Sequence, residues 1–155
     1  MNIFYLSEDI TECAEYHVDK HVVKMPLETA QLLCTTHWVT GSSAQYKKTH
    51  ANHPSCIWVR NSIQNYRWLC SLGKALCKEY THRYGKIHKC EAVIDWCISN
   101  EPSLPNTGFT EPTPAMDDIY KLSNSLSSYR NYYIHGKSHL ATWKNRDKPE
   151  WYKNN

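Results

Sequence analysis

From Ile63 to Tyr84 the apolar positions Ile63, Tyr66, Leu69, Cys70, Gly73, Leu76, Cys77, Tyr80 and Tyr84 step by three and four. That is the period of an α-helix with one face on a core, and Gly85 stands where a left-handed residue closes a helix. Glu91–Ser99 repeats the rhythm with Val93, Ile94, Trp96 and Cys97, and Ser55–Ser62 reads as a short helix. Upstream, Asn2–Leu6 is a short apolar run, and Ser7 before Glu8 and Asp9 has the form of an N-cap with an acidic first turn. The pattern predicts a long first helix from about residue 8 to about residue 38, kinked by Pro26 near Val22–Val23. Thr40–Pro54 is a polar loop, and Asn100–Ala115 is a proline-punctuated loop of the length that is usually functional or mobile. A last helical region covers about Met116 to Tyr133, with a break near Gly136. With no internal repeat, the expectation is an all-α, compact single domain spanning residues 1–155, with long polar loops.

The first helix poses a question. His17, His21, Lys24 and Glu28 are spaced four, three and four apart, so at about 100° per residue they share a stripe roughly 60° wide. Val18, Val22, Met25 and Thr29, with Leu32 and Leu33 beyond, form the opposite side and read as core. The polar stripe is either a solvated face or one wall of a site.

Composition narrows the classes. No apolar run approaches the length of a membrane span and the start is not signal-like, which points to a cytoplasmic protein without a membrane partner. Seven scattered cysteines without a CxxC motif suggest reduced, buried thiols rather than a disulfide framework. The net charge of +3 is unevenly placed: the chain from Lys121 onward carries +5 and the part before it −2. Such a basic end suits an anionic partner such as nucleic acid or a phosphate-bearing small molecule. Six Trp and eleven Tyr supply stacking platforms or core, and both uses leave the same composition.

Four constellations carry chemistry. His17 and His21 have a spacing able to hold zinc, but Val18 stands where the glutamate of HExxH belongs and Lys20 and Lys24 repel a dication, so neither metal nor cofactor is expected. A lysine whose proton is loosened by neighbouring cations exposes the free amine that forms a Schiff base with a sugar aldehyde; Lys24, between His21 and Glu28, is either that amine or a solvated partner of Glu28. Asn65, Tyr66 and Arg67 mix amide, ring and guanidinium as a nucleotide site does, and as an ordinary polar helix face also does. Ser128–Lys153 interleaves Tyr133 and Trp151 with Arg130, Lys144 and Arg146, which makes either an anion-and-base surface or a docked tail.

The order of these pieces resembles a bacteriophage family, the pyrimidine-dimer DNA glycosylases also called endonuclease V. That family is small, basic, single-domain and all-α. Its first helix begins with a His, has a catalytic Glu seven residues later and a Pro two after that, a pattern that His17, Lys24 and Pro26 occupy here. Its chain ends in a Pro-x-Trp-Tyr-Lys segment near the DNA, which Pro149–Lys153 resembles, and its amphipathic middle helix is similar in placement to Tyr66–Tyr84. The departures are specific. The family's nucleophile is the amine of a small second residue exposed by removal of Met1, whereas residue 2 here is Asn, whose bulk should block that removal. Lys24 stands at the carboxylate position, and Val23 and Leu27 replace the flanking arginines.

Three readings follow. In the leading one the protein excises a damaged or modified base from DNA: Lys24 attacks C1′, His17 or His21 moves protons, Glu28 orients Lys24, and Tyr66, Arg67 and Arg130 hold base and phosphate. In the second, a non-catalytic pocket captures a small nucleotide, such as a signalling nucleotide of host defence in an infected cell. The third is an interaction protein with a flat, exposed stripe. The enzyme reading requires a water-poor Lys24.

Overall fold

The computed structural model describes residues 1–153, and these residues contain six α-helices and no strand. The helices are α1 (Ile10–Glu15), α2 (Asp19–Val39), α3 (Pro54–Arg60), α4 (Ile63–Tyr84), α5 (Glu91–Ser99) and α6 (Ser125–Gly136). Two 3-10 turns, Asp118–Tyr120 and Ser138–Leu140, flank α6. None of the described helices is long and apolar enough to cross a membrane.

The apolar rhythm of Ile63–Tyr84 becomes α4, the central helix, which packs on α1, α2, α3 and α5. Ser62 starts it by accepting from the Asn65 N–H, and Gly85 ends it at φ 68°. Gly73 lets three helices converge: a Cβ there would stand 2.9 Å from Thr29 Cγ2 and 3.1 Å from Ile94 Cδ1. Ile3–Leu6 lies buried beneath the bundle, and all seven cysteines are buried free thiols.

The expected single first helix is two. Asp9, not Ser7, caps α1 by accepting from the Glu12 N–H, while Ser7 Oγ is bonded to Glu12 at 2.7 Å. The chain then breaks at Tyr16–Val18, ahead of the expected kink, because distant groups take the backbone bonds a helix would use. Val18 N–H donates to the Tyr133 hydroxyl (3.3 Å) and Asp19 N–H to the Thr142 carbonyl (2.9 Å). Arg83, fully buried on α4, closes the break: it donates to the Glu15 carbonyl (2.9 Å), Asp19 (3.0 Å) and Glu79 (2.8 Å). Pro26 lies inside α2, which continues to Val39.

The last helical region also differs from its expected bounds. It divides into the turn at Asp118–Tyr120 and α6, which begins only at Ser125 because Asn124 caps it by accepting from the Ser127 N–H (2.8 Å). No helix forms in Asn100–Ala115, which is tied down by side chains rather than by its own ladder. Trp58 Nε1 donates to the Thr110 carbonyl (3.1 Å), Thr110 N–H to Asn65 Oδ1 (3.0 Å), and Ser125 Oγ to the Pro112 carbonyl (2.5 Å).

Candidate functional site

Burial decides what the α2 stripe is. His21 and Glu28 are each 5 % exposed, as protected as the apolar side formed by Val22, Thr29 and Leu33. The solvent line of α2 runs instead through Lys20, Val23 and Lys24. A buried carboxylate needs partners, and Glu28 finds them at the start of the chain. Its Oε1 accepts from the Asn2 N–H at 2.9 Å and lies 3.5 Å from the Met1 amine, and its Oε2 faces Lys24 Nζ at 3.4 Å.

Asn2 is fixed by its side chain. Its Oδ1 accepts from the Tyr129 hydroxyl (2.7 Å) and its Nδ2 donates to the Ala115 carbonyl (2.8 Å), so α6 and the end of the long loop hold the amino terminus against α2. The result is a cavity of about 230 Å³. Met1, Asn2, Lys24 and Glu28 line it together with Phe4, His21, Tyr132 and Lys137. Larger hollows lie elsewhere, about 560 Å³ beside Glu15 and Arg146 and about 370 Å³ beside Arg67 and Glu101. In each an arginine is already paired with a carboxylate of the lining, Arg146 with Glu15 and Arg67 with Glu101.

His21 has a defined proton arrangement. Tyr133 is wholly buried, and burial keeps its phenol protonated well above the usual range. Its oxygen accepts from Val18 N–H, and His21 Nδ1, 2.6 Å away, is the one acceptor for its proton among the described residues, so pairing that proton puts the hydroxyl in the donor role. The neutral imidazole therefore carries hydrogen on Nε2. Burial, then the nearby His17, Lys137, Lys24 and His139, push its pKa down to about 2, so the ring is neutral at physiological pH. Phe4 stacks on the ring with centroids 4.2 Å apart. The wall of the cavity thus presents an uncharged N–H donor beside an amine–carboxylate pair. That combination can free an amine of its proton and hold an oxygen where charge develops.

The other residues singled out in the sequence fall in three places. His17 sits in the break before α2, completely buried and outside the cavity lining; its Nδ1 donates to the Cys13 carbonyl (2.6 Å), its Nε2 has no partner among the described residues, and burial lowers its pKa to about 4. Lys24 borders the cavity, but its side chain is 67 % exposed, not water-poor. Asn65, Tyr66 and Arg67 lie outside the cavity lining. Asn65 holds the long loop, Tyr66 donates to the Cys97 carbonyl (2.7 Å), and Arg67 makes a bidentate pair with Glu101 (2.6 and 2.9 Å).

The basic and aromatic end is docked. Arg130 donates to the Leu6 carbonyl (2.9 Å) and lies 5.1 Å over the Trp151 ring, and Arg146 grips Glu79 (2.9 Å). Tyr133 is inside beneath His21, whereas Lys144 is exposed with its Nζ 5.2 Å over Tyr84. Sequence reasoning did not place Met1, Phe4, Tyr132 or Lys137 at the site, and reached Asn2 only through the resemblance, as a residue that departs from the family's nucleophile. None belongs to an amphipathic repeat with α2, and the contact of Asn2 with Glu28 spans 26 residues; the signal at the amino terminus was the family resemblance.

Residues 1–92 match the family model described as pyrimidine dimer DNA glycosylase. No curated protein and no solved structure matches the chain.

Proposed function

Because this chain belongs to the pyrimidine dimer DNA glycosylase family, we propose that it is a DNA glycosylase that removes a damaged pyrimidine through an imine, with dimerised pyrimidines as its substrate. The observation that carries the reading is the Glu28 carboxylate held between two amines, Met1's at 3.5 Å and Lys24's at 3.4 Å, beside a neutral His21.

Of the two amines, the α-amine is the better nucleophile. It lies within the cavity, pinned by Asn2, whereas Lys24 extends into solvent. As a class, α-amines also release their proton roughly two units below lysine side chains. Glu28 takes a proton from the amine, whose lone pair forms a bond to C1′ of the target nucleotide. The C1′–N bond to the base breaks, its electron pair leaves with the base, and the base takes up the proton that Glu28 had accepted, which restores the carboxylate. A second amine proton passes through Glu28 to O4′ as the C1′–O4′ bond opens, leaving an imine between chain and sugar. His21 Nε2–H donates to the oxygen on which negative charge grows. Lys24 and Lys137, which both border the cavity, supply the cations for the flanking phosphates. Bringing C1′ to Glu28 takes the nucleotide out of the stack.

Capture of a small nucleotide would give the amine–carboxylate pair nothing to do, and the family match favours DNA. The test is base release from a duplex with a single pyrimidine dimer beside the same duplex undamaged. Release confined to the dimer duplex is expected. No release from either would refute the proposal.

A further inference from the structure

Tyr129 and Tyr133 stand one turn apart on α6, so their rings leave the same face of that helix about 6 Å apart along its axis. Both are buried, and neither borders the cavity that holds the amine and His21. A phenylalanine would fill either position with no polar atom to satisfy, and a buried hydroxyl is stable only where it is bonded. Each of these hydroxyls is bonded, and each to a residue of the cavity lining.

The Tyr129 hydroxyl donates to Asn2 Oδ1 (2.7 Å) and accepts from the Ala115 N–H (3.1 Å). Asn2 also donates through Nδ2 to the Ala115 carbonyl (2.8 Å) and through its N–H to Glu28 Oε1 (2.9 Å), the oxygen that lies 3.5 Å from the Met1 amine. The Tyr133 hydroxyl takes the N–H of Val18, which opens α2 with no side-chain cap, and faces His21 Nδ1 at 2.6 Å. Phe4 packs against both tyrosines and His21, with centroids 5.8 Å from Tyr129, 5.4 Å from Tyr133 and 4.2 Å from His21. The helix itself is fastened at Ser125 Oγ, which donates to the Pro112 carbonyl (2.5 Å), and at Arg130, which donates to the Leu6 carbonyl (2.9 Å).

We propose that α6 is the positioning element of the site: Tyr129 acts through Asn2 to hold the amine on Glu28, and Tyr133 acts through His21 to keep the imidazole hydrogen on Nε2, the nitrogen left free for substrate. A neutral imidazole can carry its hydrogen on either nitrogen, and a fixed donor at Nδ1 selects the Nε2–H form. An amine at the end of a chain is tethered on one side only; binding Asn2 through its N–H, its carbonyl and its amide nitrogen removes that freedom before substrate arrives. Because the two tyrosines share one turn of one helix, the spacing of amine and donor is set by α6. This inference rests on the DNA-glycosylase reading above.

The experiment compares the wild-type chain with Tyr129→Phe and Tyr133→Phe on a duplex bearing a pyrimidine dimer. It reads single-turnover base release, borohydride trapping, and the His21 ring nitrogens by NMR of isotope-labelled protein. The wild type should show hydrogen on Nε2 and a bare Nδ1. In Tyr133→Phe the two nitrogen signals should move toward a common average and base release should fall about tenfold. Added to His21→Gln, the same substitution should slow the reaction by less than about twofold more, since it acts through that ring. Tyr129→Phe should leave the His21 signals unchanged and lower trapping about tenfold. Hydrogen on Nδ1 in the wild type, a result that needs no variant to fold, would overturn the role of Tyr133. Variants that match the wild type in release and trapping, or a Tyr133→Phe effect that adds in full to His21→Gln, would overturn the positioning roles and leave the glycosylase reading standing. A wild type that releases no base would overturn both.

Discussion

The cavity at the amino terminus and the docked carboxyl-terminal segment hold the same kinds of side chain and use them in opposite ways. In the segment from Tyr129 onward the cations are used by the fold: Arg146 closes on Glu79 and Glu15, Arg130 lies over Trp151, and Trp143 Nε1 donates to the Tyr16 carbonyl (2.9 Å), while the buried Trp151 Nε1 and Tyr152 hydroxyl find no hydrogen-bond partner among the described residues. In the cavity, one carboxylate is shared by two amines, and His21 keeps an Nε2–H with no partner in the chain among the described residues. Groups with spare capacity that line a cavity mark a site; a high local count of basic and aromatic residues marks only material that a fold can also use for packing.

The contrast is broken most directly by Glu28→Gln. The amide accepts no proton from the amine, so base release should fall by about 10³-fold while the far-ultraviolet circular dichroism stays the same. Activity within a few-fold of wild type would leave Glu28 as a structural tie alone.

Acid should act next. His17 and His21 are held neutral by burial, at about 4 and about 2, against an ordinary 6.5 when unfolded. Below pH 6.5 the unfolded chain therefore binds more protons, and stability falls with pH until the folded values are reached. Between pH 7 and pH 5 the two histidines together cost about 3–4 kcal/mol, to be read as a lower urea midpoint at pH 5. A midpoint unchanged across that range would contradict the buried, neutral pair.

On the other side of the comparison, Arg146→Ala should cost about 1–2 kcal/mol of stability, because Glu79 keeps Arg83 but loses its second partner. It should leave the salt dependence of DNA binding unaltered. The smallest effect sharpens the point: Lys89 has no carboxylate partner among the described residues, so Lys89→Ala should lower the salt slope of DNA binding by about one without altering stability. A slope that drops for Arg146→Ala instead would return the nucleic-acid face to the docked segment.

What the sequence reveals follows the range of the forces involved. The bounds of α4 and α5 can be read from local apolar steps and from Gly85, since the determinants lie within each helix. The break at Tyr16–Val18 cannot. Arg83 reaches it from more than sixty residues away and Tyr133 from more than a hundred. The stripe on α2 is visible as a pattern, yet its burial depends on Asn2, tied to Tyr129 across 127 residues. Charge counting likewise finds Arg146 and Lys89 alike, because pairing with Glu79 is a tertiary event.

The central claim is that the amine beside Glu28 forms the imine, and borohydride trapping on dimer-bearing DNA followed by peptide mapping tests it. The account predicts a covalent adduct on the peptide that begins with Met1, absent in Glu28→Gln. An adduct on the peptide containing Lys24, or none while base is still released, would contradict it.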